Sequence, residues 1–124
     1  MSEIIYLHAS AELQPVAKAL EALGNETRLA VFTLLIQAGR TGLAVGEIQE
    51  RLAIPASTLS HHISRLNQVD LVEQERQGRK LICRANYRRM EDVLSFLTRN
   101  CCAADGVVPG HKHKILVNRA GSAA

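Results

Sequence analysis

IPASTLSHHISRLNQVDL, Ile54 to Leu71, spaces Leu59, Ile63, Leu66 and Val69 at helical intervals, which predicts a helix burying one side. Ser57, Thr58, Ser60, His61, Arg65 and Gln68 fall outside that stripe, and no acid appears until Asp70. Short hydroxyls and an imidazole near a helix start can approach base edges closely, so this face suits a DNA groove. A plain solvated face has the same composition. The next segment adds weight to the groove: Leu71 to Arg76 and Lys80 to Ala85 read as two strands around Gln77-Gly78, with glycine supplying the turn. From Arg76 to Arg89 the chain carries Arg76, Arg79, Lys80, Arg84, Arg88 and Arg89 and no acid. A hairpin so charged can lie along the phosphate backbone, where neutralisation releases counterions, although a hairpin with a basic, solvated edge is the simpler alternative.

Working outward, Leu13, Val16, Leu20 and Leu23 mark a first helix, begun near Ser10 and closed by Gly24. Asn25 caps a second helix with Leu29, Phe32, Leu35 and Ile36 on its buried side, ending by Gly39, and Gly42 to Gly46 is a break. Ile48 and Leu52 belong to a short third helix halted at Ile54-Pro55. Two short helices joined by a tight turn, the second exposing small polar groups, make a helix-turn-helix. Beyond the hairpin, Met90, Val93, Leu94 and Leu97 form the stripe of a last helix running from about Asn86 toward Cys101. Its spare apolar surface, with the first helix, suits packing against a second copy of the chain, and a two-fold dimer would match a palindromic operator. The expected fold is mostly α with a small β-hairpin, a dimeric winged helix-turn-helix spanning 1–105, with a flexible basic tail at 106–124.

The 124 residues are one domain's worth of chain, and a net charge of +3 is modest, so charge distribution matters more than its total. Acids gather at Glu47 to Glu50 and Asp70 to Glu75. Tyr6, Phe32, Tyr87 and Phe96 are the only aromatics, too few for the stacking platforms of single-stranded nucleic acid binders, so double-stranded DNA is the expected partner. No apolar run reaches the roughly 20 residues a membrane span needs, and MSEIIYLHAS lacks the basic start and apolar core of a secretory signal, so the expected location is cytoplasmic. Three cysteines in that setting point to metal binding or redox sensing before a disulfide framework. With no nucleotide loop, Cys-x-x-Cys motif or Ser/His/Asp constellation, the chain is expected not to be an enzyme and to need no catalytic cofactor.

Ala22-Leu23-Gly24-Asn25-Glu26-Thr27-Arg28-Leu29, the Ser57-Thr58-x-Ser60-His61-His62 run and the Gln77-Gly78-Arg79 wing, in this order of elements, resemble the ArsR/SmtB family of winged-helix metalloregulators over about Ala17 to Leu97. The resemblance implies a homodimeric repressor that leaves its operator when a metal or metalloid binds, and so control of a resistance operon. It also implies that Ser57, Thr58, Ser60, His61 and Arg65 face the major groove while Arg76, Arg79 and Lys80 meet the backbone or minor groove. Pro55 departs from the pattern, standing where a capping serine is common, and proline is well tolerated at a helix start.

Members of the family place sensors in different elements. Where one arsenic type carries a Cys-Val-Cys segment, this chain reads Gly46-Glu47-Ile48-Gln49-Glu50; where the last-helix zinc type has an Asp-x-His pair, Glu91 to Arg99 offers Asp92 and no histidine. Cys101-Cys102 remains, at the expected end of the last helix. Neighbouring residues on an intact helix do not face each other, so two thiolates clasp one atom only where the backbone is frayed, which Gly106 would permit. Soft thiolates select soft acceptors, and with the family in view the expected inducer is a trivalent arsenic species. The bland alternative is that Cys101 merely extends the apolar stripe. Relatives with such a pair commonly add a third cysteine nearby, and none follows Cys102, so methylarsenite or phenylarsenite is expected to be preferred to arsenite. Cys83 is expected to pack in the core by strand alternation, with a part as third ligand left open. His61 and His62 read as facing DNA or solvent, and His111 and His113 as tail residues. Oxidant or reactive-sulfur sensing by the same thiols is a rival reading, and a small thiol enzyme a weaker one.

Overall fold

The structure is a computed structural model describing residues 11–99. Five helices surround a small sheet: α1 is Leu13–Leu23, α2 Glu26–Ala38, α3 Val45–Leu52, α4 Ala56–Gln68 and α5 Tyr87–Arg99, with a 3-10 turn at Gly39–Thr41. The strands are β1 (Leu43–Ala44), β2 (Val72–Gln77) and β3 (Lys80–Ala85), antiparallel in the order β1-β3-β2. This is the winged helix-turn-helix expected from the sequence, with α3 and α4 as the two helices of the motif and β2–β3 as the wing.

Local chemistry sets the boundaries. Asn25 caps α2 by accepting from the Arg28 amide at 3.0 Å. Glu47 closes the start of α3 by accepting from the Ala44 amide at 2.8 Å. Pro55, extended at φ −63 and ψ 148, is the residue just before α4 and offers no side-chain cap. Between α3 and α4 the chain turns through Ala53 in the left-handed region, φ 54. After α4 a second left-handed residue, Asp70 at φ 64, lets the Leu71 amide reach back to the Leu66 carbonyl at 3.0 Å, closing the helix and launching β2.

Val31, Leu35, Ile48, Leu59, Leu66, Leu71, Val72 and Cys83 form the fully buried centre of one core. Two stripes fall differently from their expected positions. On α1 the buried side is Val16, Ala19 and Ala22, and Leu20 is 40% exposed; on α2 it is Val31, Phe32 and Leu35, and Leu29 is 49% exposed. The cause is compositional: α2 is apolar most of the way round, so its period does not select an arc, and small alanines let α1 lie closely on α2 and α5.

The Gly42 to Gly46 break is in fact ordered. Leu43 pairs with Cys83 and Ala44 with Ile82, adding a third strand beside the wing, and Gly46 lies inside α3. Gly42 makes this possible at φ +70, where a Cβ would stand 2.4 Å from the Cys83 carbonyl oxygen. The wing turns at Gly78 (φ +63), with Gln77 opposite Lys80. Residues 100–124, and with them Cys101, Cys102, His111, His113 and the expected tail, lie outside the described residues, as do residues 1–10.

Candidate nucleic-acid interface

Helix α4 is anchored through Leu59, Ile63 and Leu66, each 0–2% exposed, and this fixes where its other residues point. Ser57, Thr58, Ser60 and His61 are exposed, and Arg65 is half-buried. Directly opposite the anchor, at one-turn intervals, stand Ser57, His61, Ser64 and Gln68, all exposed. Ser64 was not among the residues singled out from the sequence, although its place three after His61 and seven after Ser57 on a helix is enough to find it.

The flanks of α4 face different neighbours. On one side Asn67 donates to the Val72 carbonyl at 2.9 Å, joining the helix to the wing. There a cleft of about 710 Å³ opens, with Ser60 and Ser64 on one wall, Gln74, Arg79 and Lys80 on another and Glu50 on the third. On the other side His62 meets Arg28 of α2, the guanidinium lying 3.4 Å from Nδ1. Burial holds the His62 imidazole below the usual histidine pKa, and the positive charges of Arg28, His61 and Arg65 push in the same direction. The two rings of His61 and His62 are tilted at 55°, with centroids 5.9 Å apart, so adjacent histidines serve different surroundings.

The basic run divides likewise. Arg76, Arg79 and Lys80 are exposed on the wing, and Arg88 is exposed on α5. Arg84 and Arg89 are engaged internally, so the members of the run expected to meet DNA, Arg76, Arg79 and Lys80, differ from these two in exposure. Arg84 donates to the Arg40 carbonyl and to Glu75, both at 2.7 Å, and Arg89 donates to the Val69 carbonyl at 3.2 Å and the Pro15 carbonyl at 3.0 Å. The Arg84 hydrogen bond, seconded by Gln77, lowers the Glu75 carboxyl pKa. Arginine can do this because its fork of donors reaches more than one backbone carbonyl or carboxylate at once. A count of positive residues cannot separate these two uses.

Cys83 lies in the middle of β3 with no exposure, its thiol pushed up in pKa by burial and only weakly opposed by the Gln74 amide 3.8 Å from Sγ. Among the described residues, no group of three His, Cys, Asp or Glu side chains is placed to hold a metal ion.

A helix-turn-helix domain model matches residues 23–75, which span α2 to the start of the wing. The regulator YgaV of Escherichia coli is 26% identical over 82% of this chain and 99% of its own. The transcriptional activator HlyU of Vibrio cholerae is 28% identical over 69% of this chain and 77% of its own, and a structure of reduced HlyU superposes with a TM-score of 0.54 at 23% identity over 71% and 90% of the two chains. A homodimeric winged helix-turn-helix domain from Mycobacterium bovis, described as a possible ArsR-family regulator, superposes with a TM-score of 0.56 at 31% identity, over 75% of this chain and 81% of that one. The chain belongs to the ArsR family. It is accordingly a helix-turn-helix transcriptional regulator and not an enzyme, as its named relatives are. In this ArsR-family chain Ser60 and Ser64 of α4 share their cleft with the wing residues Arg79 and Lys80, and Arg76 is exposed on the same wing. Among the described residues no helix is long and apolar enough to cross a membrane.

Proposed function

We propose that this chain is a homodimeric repressor that covers an operator and releases it when Cys101 and Cys102 bind a trivalent arsenical. The observation that carries the reading is the vicinal thiol pair, which begins two residues after Arg99, the last residue of α5. The outward face of α5 carries Leu94 and Leu97, 41% and 47% exposed, and α1 adds Leu20 at 40%. These leucines are the natural seam for a second copy, a reading supported by the homodimeric mycobacterial relative. A sensor that follows Leu97 by four residues in sequence can change the angle between two reading helices without touching DNA. Release requires only that the ligand favour a dimer geometry that no longer matches successive grooves, and a side chain that no longer reaches its base edge forfeits ~1–3 kcal/mol.

The chemistry balances without a redox partner. Methylarsenite carries two hydroxyls on arsenic; two thiols replace them, forming two arsenic–sulfur bonds and releasing two waters. Two ligands thus complete an organoarsenical, whereas arsenite keeps one hydroxyl. Cys83 would be a costly third ligand, because its buried thiol gives up its proton reluctantly. The test is a gel shift on a duplex selected from a random DNA pool with the reduced protein. Methylarsenite is expected to release it, more effectively than arsenite, and a Cys101→Ser/Cys102→Ser protein should stay bound. Release of that double variant by methylarsenite overturns the reading.

A second reading keeps the same scaffold and makes the thiols a redox switch. The solved reduced state of HlyU favours it, since that description distinguishes one oxidation state of a relative. Release by peroxide or persulfide, with none by methylarsenite, would establish it in place of the first.

A further inference from the structure

The resemblance gives no role to Arg28, to the second histidine of the His61-His62 pair or to the contact between them. Arg28 is tied at three points. Its amide donates to Asn25 Oδ1 at 3.0 Å, its Nε donates to the Ala22 carbonyl at 2.6 Å, and its Nη1 lies 3.4 Å from His62 Nδ1. The first fixes the backbone at the start of α2, and the second holds the guanidinium in the corner between α1 and α2, since Ala22 offers one of the carbonyls left open at the end of α1. The third reaches across to the middle of α4.

From these contacts we infer that Arg28 and His62 form a clamp that fixes the rotation of α4 about its own axis, making Arg28 a positioning residue for DNA reading. Among the described residues, α4 has two side-chain hydrogen bonds to other elements. Asn67 to the Val72 carbonyl ties the wing flank, and His62 to Arg28 ties the opposite flank. No side chain caps the start of the helix at Pro55. Apolar packing of Leu59, Ile63 and Leu66 holds α4 against the core but is tolerant of a small roll, because hydrophobic contact is non-directional. The two polar ties are directional and lie on opposite flanks, so losing one leaves the reading face free to turn toward the other.

The clamp has a defined chemical form. A guanidinium has donors and no acceptor, so the Nδ1 it meets must be the bare lone pair, and the His62 proton sits on Nε2. Every positive group around the ring agrees: Arg28 across the helix pair, and His61 and Arg65 on α4 itself. The α1–α2 corner that holds Arg28 also leads into Leu20 and the proposed seam, so the same arginine joins the dimer side to the reading side.

The inference rests on the DNA-binding half of the proposed function and not on its arsenical half. It is tested by fluorescence anisotropy on the selected duplex with Arg28→Lys, His62→Ala and the double variant. A lysine keeps the charge but replaces two nitrogens fixed in one plane by a single ammonium on a flexible stem, so the bonds to the Ala22 carbonyl and the imidazole lose their fixed geometry. Each single change is expected to weaken binding roughly tenfold, the size expected for losing one charge-assisted tie, and the double variant no more than either alone. His62→Asn, whose Oδ1 accepts where Nδ1 did, should bind within about threefold of wild type. Nitrogen NMR of the wild-type His62 ring should show a protonated Nε2 and a bare Nδ1, and a tautomer mixture in Arg28→Lys. Unchanged affinities, penalties that multiply in the double variant, or a proton on Nδ1 overturn the clamp. Should Arg28→Lys fail to fold, equal binding by His62→Ala and His62→Asn overturns it equally. A wild type that selects no duplex overturns the clamp together with the DNA-binding reading, whereas tight wild-type binding with multiplying penalties overturns the clamp alone.

Discussion

On the α4 and wing side the large exposed residues are polar, with hydroxyls, amides, an imidazole and basic groups beside Glu73 and Glu75; on the α1 and α5 side the exposed residues include Leu20, Leu94 and Leu97. The difference shows how a core of this size serves two partners. Helix α4 spends Leu59, Ile63 and Leu66 inward and leaves polar groups outward, whereas α5 buries Val93 and Phe96 and still carries leucines on its far side. A helix apolar on two faces is one expected to be covered twice, first by its own core and then by another surface.

Breaking the apolar side should have the largest effect. Leu94→Glu/Leu97→Glu places like charges at the proposed seam without disturbing Val93 or Phe96, so the monomer should keep its helix content. Sedimentation should show a loss of the dimer, and operator affinity should fall by about a hundredfold or more, the avidity two linked half-site readers supply. A monomeric variant that binds as tightly as wild type would separate the two sides entirely.

Neither side is touched at Gly42, where the chain passes close beside β3 to enter β1. Gly42→Ala combines left-handed backbone with a Cβ 2.4 Å from the Cys83 carbonyl oxygen and 2.7 Å from Arg84 Cγ. A cost of about 3 kcal/mol is expected, read as a lowered midpoint in urea. The loss should appear with the seam intact.

Arginines sharpen the comparison at smaller scale. Arg79→Ala should lower the slope of log affinity against log salt by about one while leaving stability unchanged, because an exposed wing-tip charge releases about one counterion. Arg84→Ala should leave that slope unchanged and cost ~1 kcal/mol of stability, through loss of the bond to the Arg40 carbonyl. Equal slopes in the two variants would refute the division of the basic run into free and engaged members.

Much of this was legible in the sequence, for identifiable reasons. The α4 stripe was readable because its apolar residues alternate sharply with polar ones, and the wing because Gly78 punctuates two strands. In α1 and α2 the elements were legible and the buried faces were not. Leu20 and Leu29 look like core in a stripe, yet Ala19, Ala22 and Val31 take those places, since packing distance and not hydropathy chooses among adjacent apolar residues. Strand β1 was missed because two residues carry no period, and its signal is the glycine before it, needed for close approach. Of the interface, the exposure of Ser57, Thr58, Ser60 and His61 was readable from the helix alone, while the inward use of Arg84 and Arg89 depends on carbonyls from Pro15, Arg40 and Val69, remote in sequence.

The smallest effect belongs to His62, on the flank of α4 that meets Arg28. His62 has its pKa lowered by burial and by neighbouring positive charge, so the unfolded chain binds a proton more readily than the folded one. Above the ordinary histidine pKa both states are neutral and the residue contributes nothing to pH dependence. As pH falls from that value toward the lower folded one, protonation favours the unfolded chain and stability drops, reaching its full loss below the folded pKa. The drop should be small, because the ring is only half-buried. Denaturant midpoints measured between pH 8 and about pH 5 should therefore decline for wild type more than for His62→Asn, which has no proton to take up in this range. If His62→Asn declines as steeply as wild type, the ring against Arg28 is not the source of the pH dependence and the contrast between the two flanks of α4 fails at that point.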